Sequence, residues 1–171
     1  MITDKVVDAI NRQINAELYS GYMYLAMSAY CSDAGVPGAA NWLRIQAMEE
    51  YTHADRLYNY LVSRGARVIL TGIEAPPTEW ESLHDVFEKT LAHEQKVTAM
   101  INDLVDLAGD EKDHATESFL QWFVDEQVEE EESAQEVLDK VKLAGGPGPG
   151  LFMMDGELGR RVFTPPTTAE E

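Results

Sequence analysis

Cysteine is nearly absent from this 171-residue sequence: Cys31 stands alone, so no disulfide can form within the chain. That fits a reducing compartment, where an isolated cysteine serves as a small buried apolar residue. Long apolar runs are missing too. No uninterrupted stretch approaches the roughly 20 residues a membrane-spanning helix needs. The opening residues Met1-Ile2-Thr3-Asp4-Lys5 hold no basic region leading into an apolar run, so no signal peptide is expected and a cytoplasmic location is the simplest reading. Positive charge is scarce. Lys plus Arg number 13 against 31 Asp plus Glu, a formal net charge of -18. Such a field disfavours nucleic acid and anionic membranes as partners and attracts cations. Its plainest reading is a soluble acidic surface.

What is present is helical periodicity, on a chain long enough for one core. Val6, Ile10, Ile14, Leu18 and Met27 carry a first helix from about Asp4 to Ser32, with Thr3 or Asp4 as its cap. Trp42, Leu43, Ile45, Leu57 and Leu61 carry a second from about Ala39 to Arg64, closed by Gly65. Leu83, Phe87, Leu91, Val97, Ile101 and Leu104 carry a third to about Leu107, and Thr78-x-x-Glu81 has the spacing of a capping box for its start. Phe119, Phe123, Val124, Val137 and Val141 carry a fourth from about Asp113 to Leu143.

The connection from Gly65 to Thr78 contains two prolines and two glycines and cannot be helical. A hairpin needs only about 2–8 residues. About 14 extended residues reach roughly 46 Å, enough to travel the length of a helix of about 39 Å. The next helix then starts parallel to the last, and Arg67-Val68-Ile69-Leu70 has the apolar content to lie on the bundle's side. The expected fold is all-α: an up-down-down-up four-helix bundle with one long crossover. The bundle spans 1–145, a short tail helix with an exposed apolar side falls within 146–163, and 164–171 reads as disordered.

Each helix carries acids near its middle, where apolar residues are expected. They are Glu17, then Glu50 with His53, then Glu94, then Gln127 with Glu130. Glu50 and His53 are three apart, on one helical face. One such pair is common on helix surfaces. Four helices presenting acids at similar heights is not. Hard carboxylate oxygens with one imidazole suit Fe(II), and Fe(III) still better. Without a metal these carboxylates would repel one another and take up protons. The run Asp125-Glu126-Gln127-Val128-Glu129-Glu130-Glu131-Glu132 is a solvated face by default, but it wraps round the helix, so part of it must point inward.

The set Glu17, Glu50-x-x-His53, Glu94 and Glu126-Gln127-x-Glu129-Glu130 resembles the prokaryotic non-haem ferritins, along nearly the whole chain. Di-iron carboxylate bundles generally take Glu-x-x-His from two helices; here the fourth helix carries Gln127 and Glu130 instead. Tyr51 also stands where bacterioferritins carry a haem-ligating methionine, so no haem is expected. The resemblance implies a first iron held by Glu17, Glu50 and His53. A second would be held by Glu50, Glu94 and Glu130, with Glu50 bridging and Gln127 alongside. A third site would be formed by Glu49, Glu126, Glu129 and Glu130. Tyr24 would hydrogen-bond at the centre and supply an electron. Trp122 is either a second redox residue or plain core. His93 and His84 read as surface. His114 and Glu117 lie where ferritins line threefold channels, although Leu120 replaces the second acid of many eukaryotic ferritins. The implied activity is ferroxidation of Fe(II) by O2 or peroxide, with ferric oxyhydroxide stored in a hollow 24-subunit shell. A rubrerythrin-like peroxidase usually has a Cys-rich domain, against which the single cysteine speaks. A metal-free acidic bundle is the other alternative.

Overall fold

Every run of helical periodicity folds as a helix in the computed structural model, which describes residues 2–164. The helices are α1 (Asp4–Asp33), α2 (Pro37–Ser63), α3 (Leu83–Asp110), α4 (His114–Ala144) and α5 (Pro149–Leu158), and the described residues contain no strand. The tail expected to be disordered lies, apart from Thr164, outside the described residues.

Local chemistry sets the boundaries. Pro37 opens α2 and Gly145, in the left-handed region at φ 69°, closes α4. The Asp113 carboxylate accepts from the Thr116 amide at the start of α4. Thr3 occupies the cap position of α1, but its side chain makes no capping bond. The start of α3 differs from expectation. Thr78-x-x-Glu81 does not cap it. Ser82 does, accepting from the Asp85 amide at 3.1 Å, while the Asp85 carboxylate accepts from the Glu81 amide at 3.2 Å. The reciprocal box is thus displaced by four residues. Trp80 is buried with its ring 5.4 Å from that of Tyr30, and this packing holds the preceding chain in a non-helical course.

The connection between α2 and α3 runs along α1. The Asn11 carboxamide oxygen accepts from the Ile69 amide at 2.8 Å, and its nitrogen donates to the Arg67 carbonyl. Asn15 donates to the Thr71 and Gly72 carbonyls. At the far end, Arg64 just past α2 donates to Asp113 at the start of α4 at 3.1 Å. The C-termini of α2 and α3 therefore share one end of the bundle, and the up-down-down-up order follows.

Two apolar cores lie along the axis. One gathers Val6, Ile10, Leu57, Ile101, Leu120 and Phe123; the other gathers Met27, Leu43, Phe87, Val137 and Leu138. Cys31 is buried in the second, where desolvation pushes its thiol up to about 12, so it serves as a small apolar residue. Between the cores lies a buried polar layer from all four long helices. Val128 is 65% exposed, so it does not join the α4 core stripe.

The tail helix packs on its own bundle through buried Met154 and Leu158, while Phe152 and Met153 face outward. Its seat depends on Gly38. A Cβ there would lie 1.7 Å from the Asp155 carbonyl oxygen, and the Asp155 carboxylate accepts from the Ala39 amide at 2.8 Å. Gly38→Ala is expected to unseat α5 and destabilise the protein by about 1–3 kcal/mol. Gly72→Ala, with nothing within 4 Å of the added carbon, serves as the control. Thermal denaturation of both checks this; equal midpoints would contradict the seat.

Candidate metal centre

The polar layer arises because each helix substitutes hydrogen-bonding groups into its inward stripe. On α1 the inward positions in the middle are Gln13, Glu17, Ser20 and Tyr24, all buried. On α2 they are Gln46, Glu50 and His53, on α3 Glu94, and on α4 Gln127 and Glu130. Gly21 lets α1 approach α2 beside the site, since a Cβ there would sit 3.2 Å from the Ala47 carbonyl oxygen and 3.5 Å from the Glu50 Cβ.

Two groups of potential ligands converge. Glu17, Glu50 and His53, all buried, bring one atom each within 4.8 Å of one another; so do His53, Glu126 and Glu130. His53 Nδ1 lies 3.5 Å from Glu50 Oε2 and its Nε2 lies 3.8 Å from Glu126 Oε1. Gln13 donates to Glu17 Oε1 at 2.8 Å, whereas Glu17 Oε2 is buried with no hydrogen-bond partner. An orphaned carboxylate oxygen aimed among hard donors fits a divalent cation.

Glu94 joins neither group of three. The Tyr24 hydroxyl donates to its Oε1, and Gln127 donates to its Oε2 at 3.3 Å. Gln127 thus stands beside Glu94. Glu130 Oε2 accepts from Gln46 at 2.5 Å. Glu49 is half-buried against Arg161, its Oε2 2.5 Å from the guanidinium Nη2, and Glu129 is exposed.

Electrostatics mark the layer as strained by its own charge. Burial pushes Glu50 well above the carboxylate range, Glu94 adds to this, and His53 opposes it. Burial lifts Glu94 to about 7 and Glu130 to about 8. Burial pulls His53 down, but hydrogen bonding to Glu126 and Glu50 outweighs it and leaves the imidazole well above its ordinary value. The Tyr24 phenol is raised, first by burial and then by Glu94. The layer holds protons that a cation can replace.

His93 corrects an expectation. It does not lie on the surface. It is half-buried toward α1, its Nε2 2.7 Å from the Ser20 hydroxyl and its ring edge-on to Tyr24 at 5.9 Å. Burial lowers it to about 4, so it is neutral. Trp122 is half-buried and touches the site, its ring edge-on to His53 at 5.5 Å, with the Arg56 guanidinium 4.2 Å from its centroid. His84 is half-buried in the first turn of α3, its Nδ1 3.5 Å from Glu88 Oε2. His114 pairs with Glu117 at 3.2 Å in an exposed position, and Leu120 is core.

Sequence reasoning missed Gln13, Gln46, Thr98 and Arg161. Two carried a signal. Gln13 precedes Glu17, and Gln46 precedes Glu50, by four residues on the same helical face. Thr98 donates to Glu131 at 2.5 Å and accepts from Gln127 at 3.3 Å, a contact set only by packing of α3 on α4. Arg161 arrives from the distant tail, and no local spacing announces it.

A family model for the ferritin-like domain matches residues 7–144. The bacterial non-heme ferritin of Bacteroides fragilis is 44% identical over 161 residues, covering 94% of this chain and 100% of its own length. That of Escherichia coli is 42% identical over 158 residues, covering 92% and 96%. Among solved structures, an open pore ferritin from the hyperthermophilic archaeon Archaeoglobus fulgidus superposes with a TM-score of 0.93 at 46% identity, over 95% of this chain and 100% of that one. A closed form of the A. fulgidus ferritin, engineered by site-directed mutagenesis, gives 0.94 at 47% identity over 96% and 100%.

The raised carboxylates predict a pH dependence of the metal-free protein. The folded state keeps protons on Glu94 and Glu130 above the ordinary carboxylate value of 4.5, where the unfolded chain has released them. Their contribution to stability is therefore full below about 4.5 and is lost as pH rises through about 7 to 8. Metal-free protein is expected to melt lower at about pH 8.5 than at about pH 6, with the difference reduced in Glu94→Gln. Calorimetry in metal-chelated buffers checks this; a profile identical in both proteins would contradict it.

Proposed function

The chain belongs to the ferritin family, and on that premise we propose that it is an iron-storage ferroxidase. It oxidises Fe(II) to Fe(III) with O2 or peroxide and stores the product as ferric oxyhydroxide in a hollow shell. The observation that carries this is the convergence of Glu17, Glu50 and His53 with an unpartnered buried oxygen on Glu17. A first Fe(II) is taken by these three residues. A second is taken by Glu50, Glu94 and Glu130, with Glu50 shared between the two ions. Each Fe(II) gives up one electron to the oxidant. The chain's own groups serve the step by position and proton transfer. His53 loses its proton to become a ligand. Tyr24, held on Glu94 and in van der Waals reach of His93, is placed to supply a further electron. Trp122, against His53, is a second such residue. Gln127 fixes Glu94 from the side away from Tyr24.

A third cation site is formed by Glu49, Glu126, Glu129 and Glu130. Glu126 and Glu130 already approach one another beside His53, which supports it. No haem takes part. The outer face of α1 and α2 favours assembly: Tyr22, Leu25, Met48 and Tyr51 are exposed round an open groove of about 680 Å³. In this reading 24 copies close a shell whose acidic surplus draws Fe(II) inward, with Glu117 a candidate for the channels. The same reading includes a cytoplasmic location.

Glu50→Ala and His53→Ala are expected to slow stopped-flow Fe(II) oxidation by at least about tenfold, since ligands matter more than their outer-shell neighbours. Rates equal to the parent protein would remove the assigned centre. Light scattering that gave a dimer would remove the shell.

A further inference from the structure

The tail residue Arg161, which follows α5, reaches back across the bundle to the edge of the polar layer. Its Nη2 lies 2.5 Å from Glu49 Oε2, and its Nη1 donates to Gln46 Oε1 at 2.8 Å. The guanidinium centre lies 4.4 Å from the centroid of the buried Trp42 ring, and the Asn41 side chain holds the Arg161 carbonyl at 3.0 Å. Backbone, ring and two polar side chains fix this arginine, which is more than a surface ion pair enjoys.

Both of its polar partners lead to proposed metal ligands. Glu49 belongs to the third site. Gln46 is buried, and a guanidinium can only donate, so the amide oxygen of Gln46 must face Arg161 and its nitrogen must face Glu130. Burial pushes the Glu49 carboxyl up, and Arg161 is the largest influence opposing that push. The arginine therefore supplies, at Glu49, the positive charge that a third cation would supply.

We propose that Arg161 is an internal counter-ion that competes with the third cation for Glu49, so that filling the third site releases the C-terminal tail. This rests on the third-site reading above. A cation at Glu49 displaces the guanidinium and frees Gln46 from its oxygen-side partner. Tail docking and third-site occupancy are then linked, and each opposes the other by the same factor.

Redox-inert Zn(II), titrated calorimetrically into the assembled iron-free protein, tests this. In Arg161→Gln the third equivalent per subunit is expected to bind about three- to tenfold tighter than in the parent, the range a partly buried ion pair spans. Arg161→Lys, which keeps the charge, is expected to stay near the parent value. A third equivalent of equal affinity in Arg161→Gln and parent overturns the competition while leaving the third site standing. Weaker binding overturns it too, because Arg161 would then position Glu49 for metal. No third equivalent in either protein overturns the third-site reading and the competition with it. Should Arg161→Gln fail to assemble, hydrogen exchange of the parent decides. Amides of 159–164 are expected to exchange faster once the third Zn(II) binds, and unchanged exchange overturns the proposal.

Discussion

The burial of like charge between two apolar cores is the constraint on which the structure depends. Glu17, Glu50, Glu94 and Glu130 are each no more than 6% exposed and share one layer with His53. Isolated carboxylates in such a setting cost several kcal/mol each unless protonated or paired. The bundle manages this in three ways. Amide donors from Gln13, Gln46 and Gln127 reach three of the acids. Phenol and imidazole groups from Tyr24 and His53 reach two. Raised proton affinity accounts for the rest. A cation does the same work better, which is why a metal reading follows from stability considerations before any catalytic one.

The apolar cores make the layer possible. Each helix is long enough to carry two apolar stretches with polar positions between them, so the layer is held from both ends. The long connection along α1 completes the frame by letting α2 and α3 run parallel. That arrangement places Glu50-x-x-His53 and Glu94 at one level.

Much of this was legible in the sequence. Helix spans followed from periodicity, and the crossover followed from the length of its Pro- and Gly-containing connection. The acids stood out because Glu94 sits where the stripe of α3 calls for an apolar residue. What escaped depended on packing between distant segments. Thr78-x-x-Glu81 has correct capping spacing, but burial of Trp80 moves the helix start to Ser82. His93 precedes Glu94 and reads from its spacing as a surface residue, yet α1 covers that side of α3. Arg161 reaches Glu49 only because Gly38 lets α5 sit close to α2.

In the function proposed above, the buried layer is a site for two iron ions sharing Glu50. Diffraction at the iron absorption edge, from crystals of assembled protein soaked anaerobically in Fe(II), tests it most directly. Two anomalous peaks are expected inside each subunit, one against Glu17 and His53 and one against Glu94 and Glu130, with Glu50 between them. Peaks confined to exposed acids, with none among these five residues, would contradict it.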